Sequence, residues 1–253
     1  MIYVTGDTHG DLGYFLSQEE REMLAERNRK HVFFSPESVC RDPGWGKNDK
    51  VIVTGDFGFV MYGEEKNPLE GEKLDILAAK PYEILFVDGN HEGFPSLLQY
   101  PQEERYGGPV RKLRENIFWL RRGFVYTIEG KTFFTMGGAA TPDFDKPNKM
   151  AVGKWFPEEI PTRAELDRGR ETLMAAGKEV DYILTHTVPS RYLQWLLHRQ
   201  PRWEDADFDL MDFLEWDVYR QVSFRKWFFG HFHLDREFYD NMVACMNEVH
   251  KVP

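Results

Sequence analysis

Short apolar runs recur along this chain, and several of them stop at a glycine followed by a carboxylate, an amide or an imidazole. Ile2–Val4 gives way to Gly6-Asp7-Thr8-His9-Gly10, and Val51–Val53 to Gly55-Asp56. Ile84–Val87 ends in Asp88-Gly89-Asn90-His91-Glu92, Tyr182–Thr185 in His186, and Trp227–Phe229 in Gly230-His231-Phe232-His233. Runs of this length, rich in β-branched and aromatic residues and bounded by turn residues, read as strands. Helical segments lie between them. Leu12–Lys30 is rich in Glu, Arg and Leu. Asn67-Pro68 opens a helix through Leu69, Ile76 and Leu77 that Pro81 stops. The capping box Thr162-Arg163-Ala164-Glu165 opens another, with Leu166, Leu173 and Ala176 on one face. Strands alternating with helices predict a layered α/β fold.

The middle of the chain changes rhythm. Ile117–Leu120, Phe124–Ile128 and Lys131–Met136 are closely spaced strands, the last two joined by a tight turn at Glu129-Gly130. Gly137-Gly138-Ala139-Ala140 leads into a segment from Thr141 to Pro161, carrying Pro142, Pro147, Trp155 and Pro157. A structureless loop of that length is expected to be functional. Pro36–Asn48 is a further loop. Beyond His186 a short helix is expected around Leu193, Leu196 and Leu197, then a longer one with Met211, Leu214, Val218 and Val222 on a stripe. Arg236–Tyr239 and Met242–Cys245, split by Asp240-Asn241, predict a closing hairpin.

Composition narrows what such a chain can do. At 253 residues, with 42% apolar and 15% aromatic residues, it can bury a sizeable core, and no linker, repeat or low-complexity tract divides it. A single domain over residues 1–253 is the expectation. The formal charge of −10 argues against extended nucleic-acid binding, which needs a basic face. Cys40 and Cys245 match no zinc spacing and read as reduced thiols. No apolar run approaches the ~20 residues of a membrane helix, and the N-terminus has no charged leader. A soluble, cytoplasmic protein without a membrane partner is expected.

Against that background the strand ends stand out. Five of them carry Asp7 and His9, Asp56, Asn90 and His91, His186, and His231 and His233. Each taken singly suits a turn or a cap. Together they repeat Asp and His while Ser, Lys and Arg do not recur. Open α/β sheets place ligands beyond the carboxyl ends of their strands, and oxygen and imidazole donors suit Mn, Fe, Zn or Ni.

Here the chain resembles the calcineurin-like metallophosphoesterases, whose five blocks match Gly6–Gly10, Gly55-Asp56, Gly89–Glu92, Thr185-His186 and Gly230–His233 in order. Met136–Ala139, Trp155–Glu159 and Thr185–Ser190 resemble bacterial and phage members. The resemblance implies a four-layer α-β-β-α sandwich of two mixed β-sheets flanked by helices. It further implies that Asp7, His9 and His233 hold one divalent ion, Asn90, His186 and His231 a second, and that Asp56 bridges them. Manganese is the first choice, with Fe, Zn or Ni also fitting. The implied reaction is hydrolysis of phosphate mono- or diesters by a hydroxide held between the ions, with His91 as general acid. A small phosphoester or nucleotide-like substrate is expected.

One departure bears on the substrate. The Ser/Thr protein phosphatase branch follows its second block with Asp-Arg-Gly, the Asp orienting the catalytic His and the Arg gripping phosphate. Phe59, Val60 and Met61 stand there in this chain. Protein phosphatase activity therefore becomes an alternative, as does a non-catalytic metal-binding scaffold. Asp88 and Glu92 are the candidates left to orient His91. Trp45 and Trp155 are candidate base-stacking residues, and Arg191 a candidate phosphate contact. The Glu-Glu pairs at 19–20, 64–65 and 158–159 read as solvated faces.

Overall fold

In the computed structural model, which describes residues 1–27, 33–142, 145–193, 195 and 208–253, the apolar runs form two mixed β-sheets laid face to face. The first sheet holds β1 (Ile2–Thr5), β2 (Lys50–Val53), β3 (Glu83–Phe86), β4 (Gln102–Arg105), β5 (Gly108–Arg114) and β6 (Ile117–Leu120), with β13 (His250–Val252) at its far edge. The second holds β7 (Phe124–Ile128), β8 (Lys131–Met136), β9 (Tyr182–Thr185), β10 (Lys226–Phe229), β11 (Arg236–Glu237) and β12 (Met242–Ala244). Their orders are β13-β1-β2-β3-β6-β5-β4 and β11-β12-β10-β9-β8-β7. In the first, β1, β2, β3 and β6 run parallel, and in the second β8, β9, β10 and β12 do.

The central strands are apolar on both faces because both faces are covered, as parallel sheets require. Ile52, Leu85, Val87, Tyr182, Leu184 and Phe228 point into the layer between the sheets. Their neighbours point outward. Val51, Val53, Ile84 and Phe86 pack under α2 (Pro68–Ala78) through Leu74 and Leu77. Ile183, Trp227 and Phe229 meet α5 (Arg163–Ala175) and α6 (Phe208–Phe213) through Leu166, Leu173, Leu210 and Phe213. The result is the expected sequence of layers: helix, sheet, sheet, helix. No described helix is long and apolar enough to cross a membrane.

Most boundaries follow the pattern read from the chain. Pro68 sits in the first turn of α2, and Thr162 and Glu165 form a complete capping box on α5. Glu129 and Gly130, at φ 50° and 75°, make the turn between β7 and β8. Other segments differ. The Leu12–Lys30 helix is instead a 3₁₀ turn at Leu12–Tyr14 followed by α1 (Gln18–Arg27), because Asp11 caps the first turn by accepting from Gly13 N. Residues 28–30 lie outside the described residues, as do Leu196 and Leu197. The Met211–Val222 stripe begins in α6 and continues as a π-helical turn over Leu214–Tyr219. The closing hairpin forms as β11 and β12. A one-turn helix, α3 (Phe94–Leu97), leads into the hairpin of β4 and β5, which turns at Tyr106-Gly107 (φ 58° and 83°); neither that hairpin nor β13, paired to β1, is among the strands the sequence pattern predicts. The Thr141–Pro161 segment is not structureless. It holds a helix, α4 (Lys146–Ala151), and a 3₁₀ turn at Pro157–Glu159.

Candidate metal centre

The parallel registers bring the carboxyl ends of β1, β2 and β3 to one edge of the first sheet, and those of β9 and β10 to the facing edge of the second. The side chains beyond them turn inward on backbone that few residues adopt. His9, Asp56, His231 and His233 have φ of 46°, 48°, 69° and 50°. Left-handed backbone at four non-glycine positions in one crevice marks a functional site, since each costs roughly 1–3 kcal/mol. The approach of the strand tips also needs glycine. A Cβ on Gly55 (φ +98°) would lie 2.2 Å from His186 Nδ1, and one on Gly89 2.1 Å from Asp56 Oδ1.

All seven residues expected to hold metal converge. One donor atom each of Asp7, His9, Asp56 and His233 lie within 4.8 Å of one another. His9 Nε2 and His233 Nε2 face each other at 3.1 Å, and His233 Nε2 lies 3.3 Å from Asp7 Oδ2. On the other side of Asp56, His186 Nε2 is 3.3 Å from both Asp56 Oδ1 and Asn90 Oδ1. The rings of His186 and His231 meet edge-on at 4.9 Å, and His231 N donates to the carboxylate of Asp7. Asp56 thus lies between a group of Asp7, His9 and His233 and a group of Asn90, His186 and His231.

The donor chemistry asks for cations. His186 Nδ1 sits 2.8 Å from Thr54 O and so donates its proton there. Its Nε2 then presents a lone pair toward Asp56 Oδ1 and the Asn90 amide oxygen, an arrangement of acceptors alone. Only a proton or a metal ion resolves it. Without a metal the proton does so: burial opposes the charge, but Asp56 and Asp7 push His186 up to about 9. Burial likewise opposes ionisation of Asp56, yet the imidazoles of His186, His91 and His9 hold its carboxyl well below the usual carboxylate range. A set of carboxylate, amide and imidazole donors of this kind, buried apart from His9 and His233 at the mouth, fits divalent ions.

His91 stands beside this set without joining it. Its backbone N–H donates to Asp56 Oδ1 at 2.8 Å, and its Nε2 lies 4.0 Å from Asp56 Oδ2. Burial, with Lys149, His9 and His186 adding, pushes the ring down to about 4 against the pull of Asp56. Neither carboxylate expected to orient it does so. Asp88 is bound to Trp119 Nε1 (2.9 Å) and Arg122 Nε (2.7 Å). Glu92 accepts from the backbone of Phe57 (2.7 Å) and Gly58 (3.2 Å). The Phe59–Met61 loop is fixed by carboxylates from outside it, with Glu70 also accepting from Met61, Tyr62 and Gly63.

His9 packs edge-on against the His91 ring at 4.9 Å, and Lys149 of α4 reaches its Nε2, with Nζ at 3.0 Å. No strand-end pattern points to it. Arg41 is a second unforeseen residue. Buried in the Pro36–Asn48 loop and stacked on Tyr14, it donates to the carbonyls of Gly6 and Asp7 at 2.9 Å and so holds the first turn. Other candidates lie elsewhere. Trp45 is buried between Tyr3 and Tyr82. Trp155 donates to Glu159 within its own segment and lies under Lys146. Arg191 pairs with Glu215. Glu159, read as a solvated face, is buried and accepts from Thr141. A cavity of about 230 Å³ opens beside His9 and His91, lined among others by Phe59, Met61, Leu69, Lys73 and Lys154.

A search of curated proteins finds no match to the chain. A family model described as calcineurin-like phosphoesterase matches residues 1–235, a span that contains every residue converging on this centre. With the two facing sheets, the five strand-end blocks and that match, the chain belongs to the calcineurin-like phosphoesterases.

Proposed function

We propose that this protein hydrolyses phosphate mono- or diesters of small, nucleotide-like substrates at a centre of two divalent ions. The observation that carries the reading is the cluster of acceptor atoms at His186, whose Nε2 lies 3.3 Å from both Asp56 Oδ1 and Asn90 Oδ1, an arrangement that a bound cation would satisfy. Asp7, His9 and His233 would hold one ion and Asn90, His186 and His231 the other, with Asp56 placed between the two groups. When bound, such ions supply the Lewis acidity that clamps the oxygens at phosphorus and lowers the pKa of water.

The chain's own groups do the rest. Thr54 O fixes the tautomer of His186 so that Nε2 faces the centre. His91 protonates the leaving oxygen. Its ring is held low in the site without metal or substrate, and an entering phosphate dianion would raise it. The cavity beside it is small and partly apolar, which suits a compact leaving group better than an extended one.

Purified protein loaded with Mn²⁺ should hydrolyse p-nitrophenyl phosphate or its bis-ester. His91→Ala should lower kcat by about 10²-fold with metal content unchanged. Asp56→Asn should lose bound metal while keeping the far-ultraviolet circular dichroism of the parent. Full activity in the His91 variant would remove that residue from its role. Folded protein that takes up metal but hydrolyses neither ester would favour the scaffold alternative.

A further inference from the structure

Lys149 lies outside all five strand-end blocks, yet its ammonium enters the rim of the centre. Its side chain is 8% exposed. Nζ lies 3.0 Å from His91 Nε2 and 3.1 Å from Thr141 Oγ1. Neither partner carries a negative charge. The threonine hydroxyl is already committed, donating to Glu159 Oε2 at 2.5 Å and accepting from Asn90 Nδ2 at 3.3 Å. The nearest paired carboxylate, Asp145, is 3.9 Å away, beyond hydrogen-bond length. An ammonium has three donors, and two acceptors within hydrogen-bond distance are found for this one among the described residues.

Burying a cation against an imidazole and a hydroxyl costs free energy that a carboxylate partner or an apolar side chain would avoid. The cost shows in the lysine itself, whose pKa burial lowers against the pull of Asp56, Glu159 and Asp145, none of which bonds the ammonium directly. A purely structural link between α4 and Thr141 needs no charge. The charge makes sense if an anion enters. The position is right for one, since Nζ borders His91 Nε2, itself 4.0 Å from Asp56 Oδ2.

We propose that Lys149 binds the phosphoryl oxygens of the substrate, a phosphate-gripping cation supplied by α4 in a chain whose Phe59–Val60–Met61 loop supplies none. The assignment rests on the phosphoesterase reading above and names a residue of that same site. On binding, Lys149 turns a donor from the imidazole to a phosphoryl oxygen, a charge-assisted bond of the kind lysine makes to phosphate. His91 Nε2 is thereby released to face the leaving oxygen.

The test reads inorganic phosphate binding to the metal-loaded protein by titration calorimetry, without turnover. Lys149→Met should weaken phosphate binding about 10-fold or more at unchanged metal content by elemental analysis, and Lys149→Arg should bind within about 3-fold of the parent. Phosphate affinity within twofold of the parent in a folded, metal-loaded Lys149→Met protein overturns the assignment and leaves the phosphoesterase reading standing. A parent protein that takes up neither metal nor phosphate overturns both. Should Lys149→Met fail to fold, Lys149→Gln carries the same expectation.

Discussion

Arg122→Met tests how the turn carrying Asn90 and His91 is held in place. Asp88, two residues before Asn90, is 0% exposed and Arg122 3%. Arg122 Nε and Nη2 reach Asp88 Oδ2 at 2.7 and 2.5 Å. Nη2 also donates to the carbonyls of Glu158 and Glu159, at 2.8 and 3.2 Å, tying the 141–161 segment to the same carboxylate. The methionine deletes all of these bonds and leaves Asp88 with Trp119 Nε1 as its side-chain donor. Breaking a buried ion pair from one side costs about 3–5 kcal/mol, because the remaining charge stays buried. Each orphaned carbonyl adds about 1 kcal/mol. A loss of about 5–7 kcal/mol is therefore expected in equilibrium urea unfolding followed by tryptophan fluorescence, a large share of the roughly 5–15 kcal/mol a folded domain has. The double variant Arg122→Met/Asp88→Asn removes the uncompensated charge and should recover at least about 2 kcal/mol relative to the sum of the single losses. A loss below about 1 kcal/mol in Arg122→Met, or no recovery in the double variant, refutes the reasoning that the pair anchors the turn.

Three further outcomes follow from the same geometry. Gly89→Ala places a methyl 2.1 Å from Asp56 Oδ1 and 2.7 Å from His186 Nε2, so it should cost about 1–3 kcal/mol and lower bound metal; full metal content by elemental analysis would contradict it. Lys149→Met should make the metal-free protein more stable than the parent at neutral pH, by about 1–2 kcal/mol. A lysine whose folded pKa is depressed contributes stability above its unfolded value near 10.5 and loses it as pH falls through the lower folded value, so the gap between parent and variant should close as pH rises toward 10.5, and a gap constant from pH 7 to 10 would argue against burial of the charge. Chelation of a metal-loaded sample should lower Tm in the parent, since an ion at 1,000 times its Kd stabilises by about 4 kcal/mol, and should move Asp56→Asn much less; equal shifts in both would mean that Asp56 does not hold the ions.

The strand ends were legible because two constraints act on the same few residues. A central parallel strand needs a continuous apolar run, and its tip needs a glycine where another tip approaches, so Val53-Thr54-Gly55-Asp56 carries strand, close approach and carboxylate in four consecutive letters. The helices α2 and α5 announced themselves through Pro68 and through the Thr162–Glu165 box, both local signals. What stayed hidden depends on partners far away in sequence. Arg41 reads as one arginine in a polar loop until Gly6 O and Asp7 O are seen to converge on it. β13 carries too few residues for a pattern of its own and becomes a strand only by pairing with β1. Trp45 looked available because its neighbours are Pro, Gly and Lys, whereas Tyr82 and Tyr3 close over it from two strands away.

Phe59, Val60 and Met61 stand where the protein phosphatase branch has Asp-Arg-Gly, and Lys149 lies at the rim beside His91. With Phe59–Met61 apolar, the loop is held by Glu70 and Glu92, carboxylates that bond its backbone and present nothing to a phosphate. An ammonium within hydrogen-bond reach of His91 comes from α4, a helix inside a segment that the sequence marked as important but left without shape. That segment is anchored to the first sheet by Arg122 and packs its Glu159 against Thr141, which also meets Asn90. Motif blocks at strand ends are legible because a metal site needs its donors on rigid backbone. A substrate-gripping cation can arrive on any element that reaches the rim, so it leaves no signature at a fixed place in the chain.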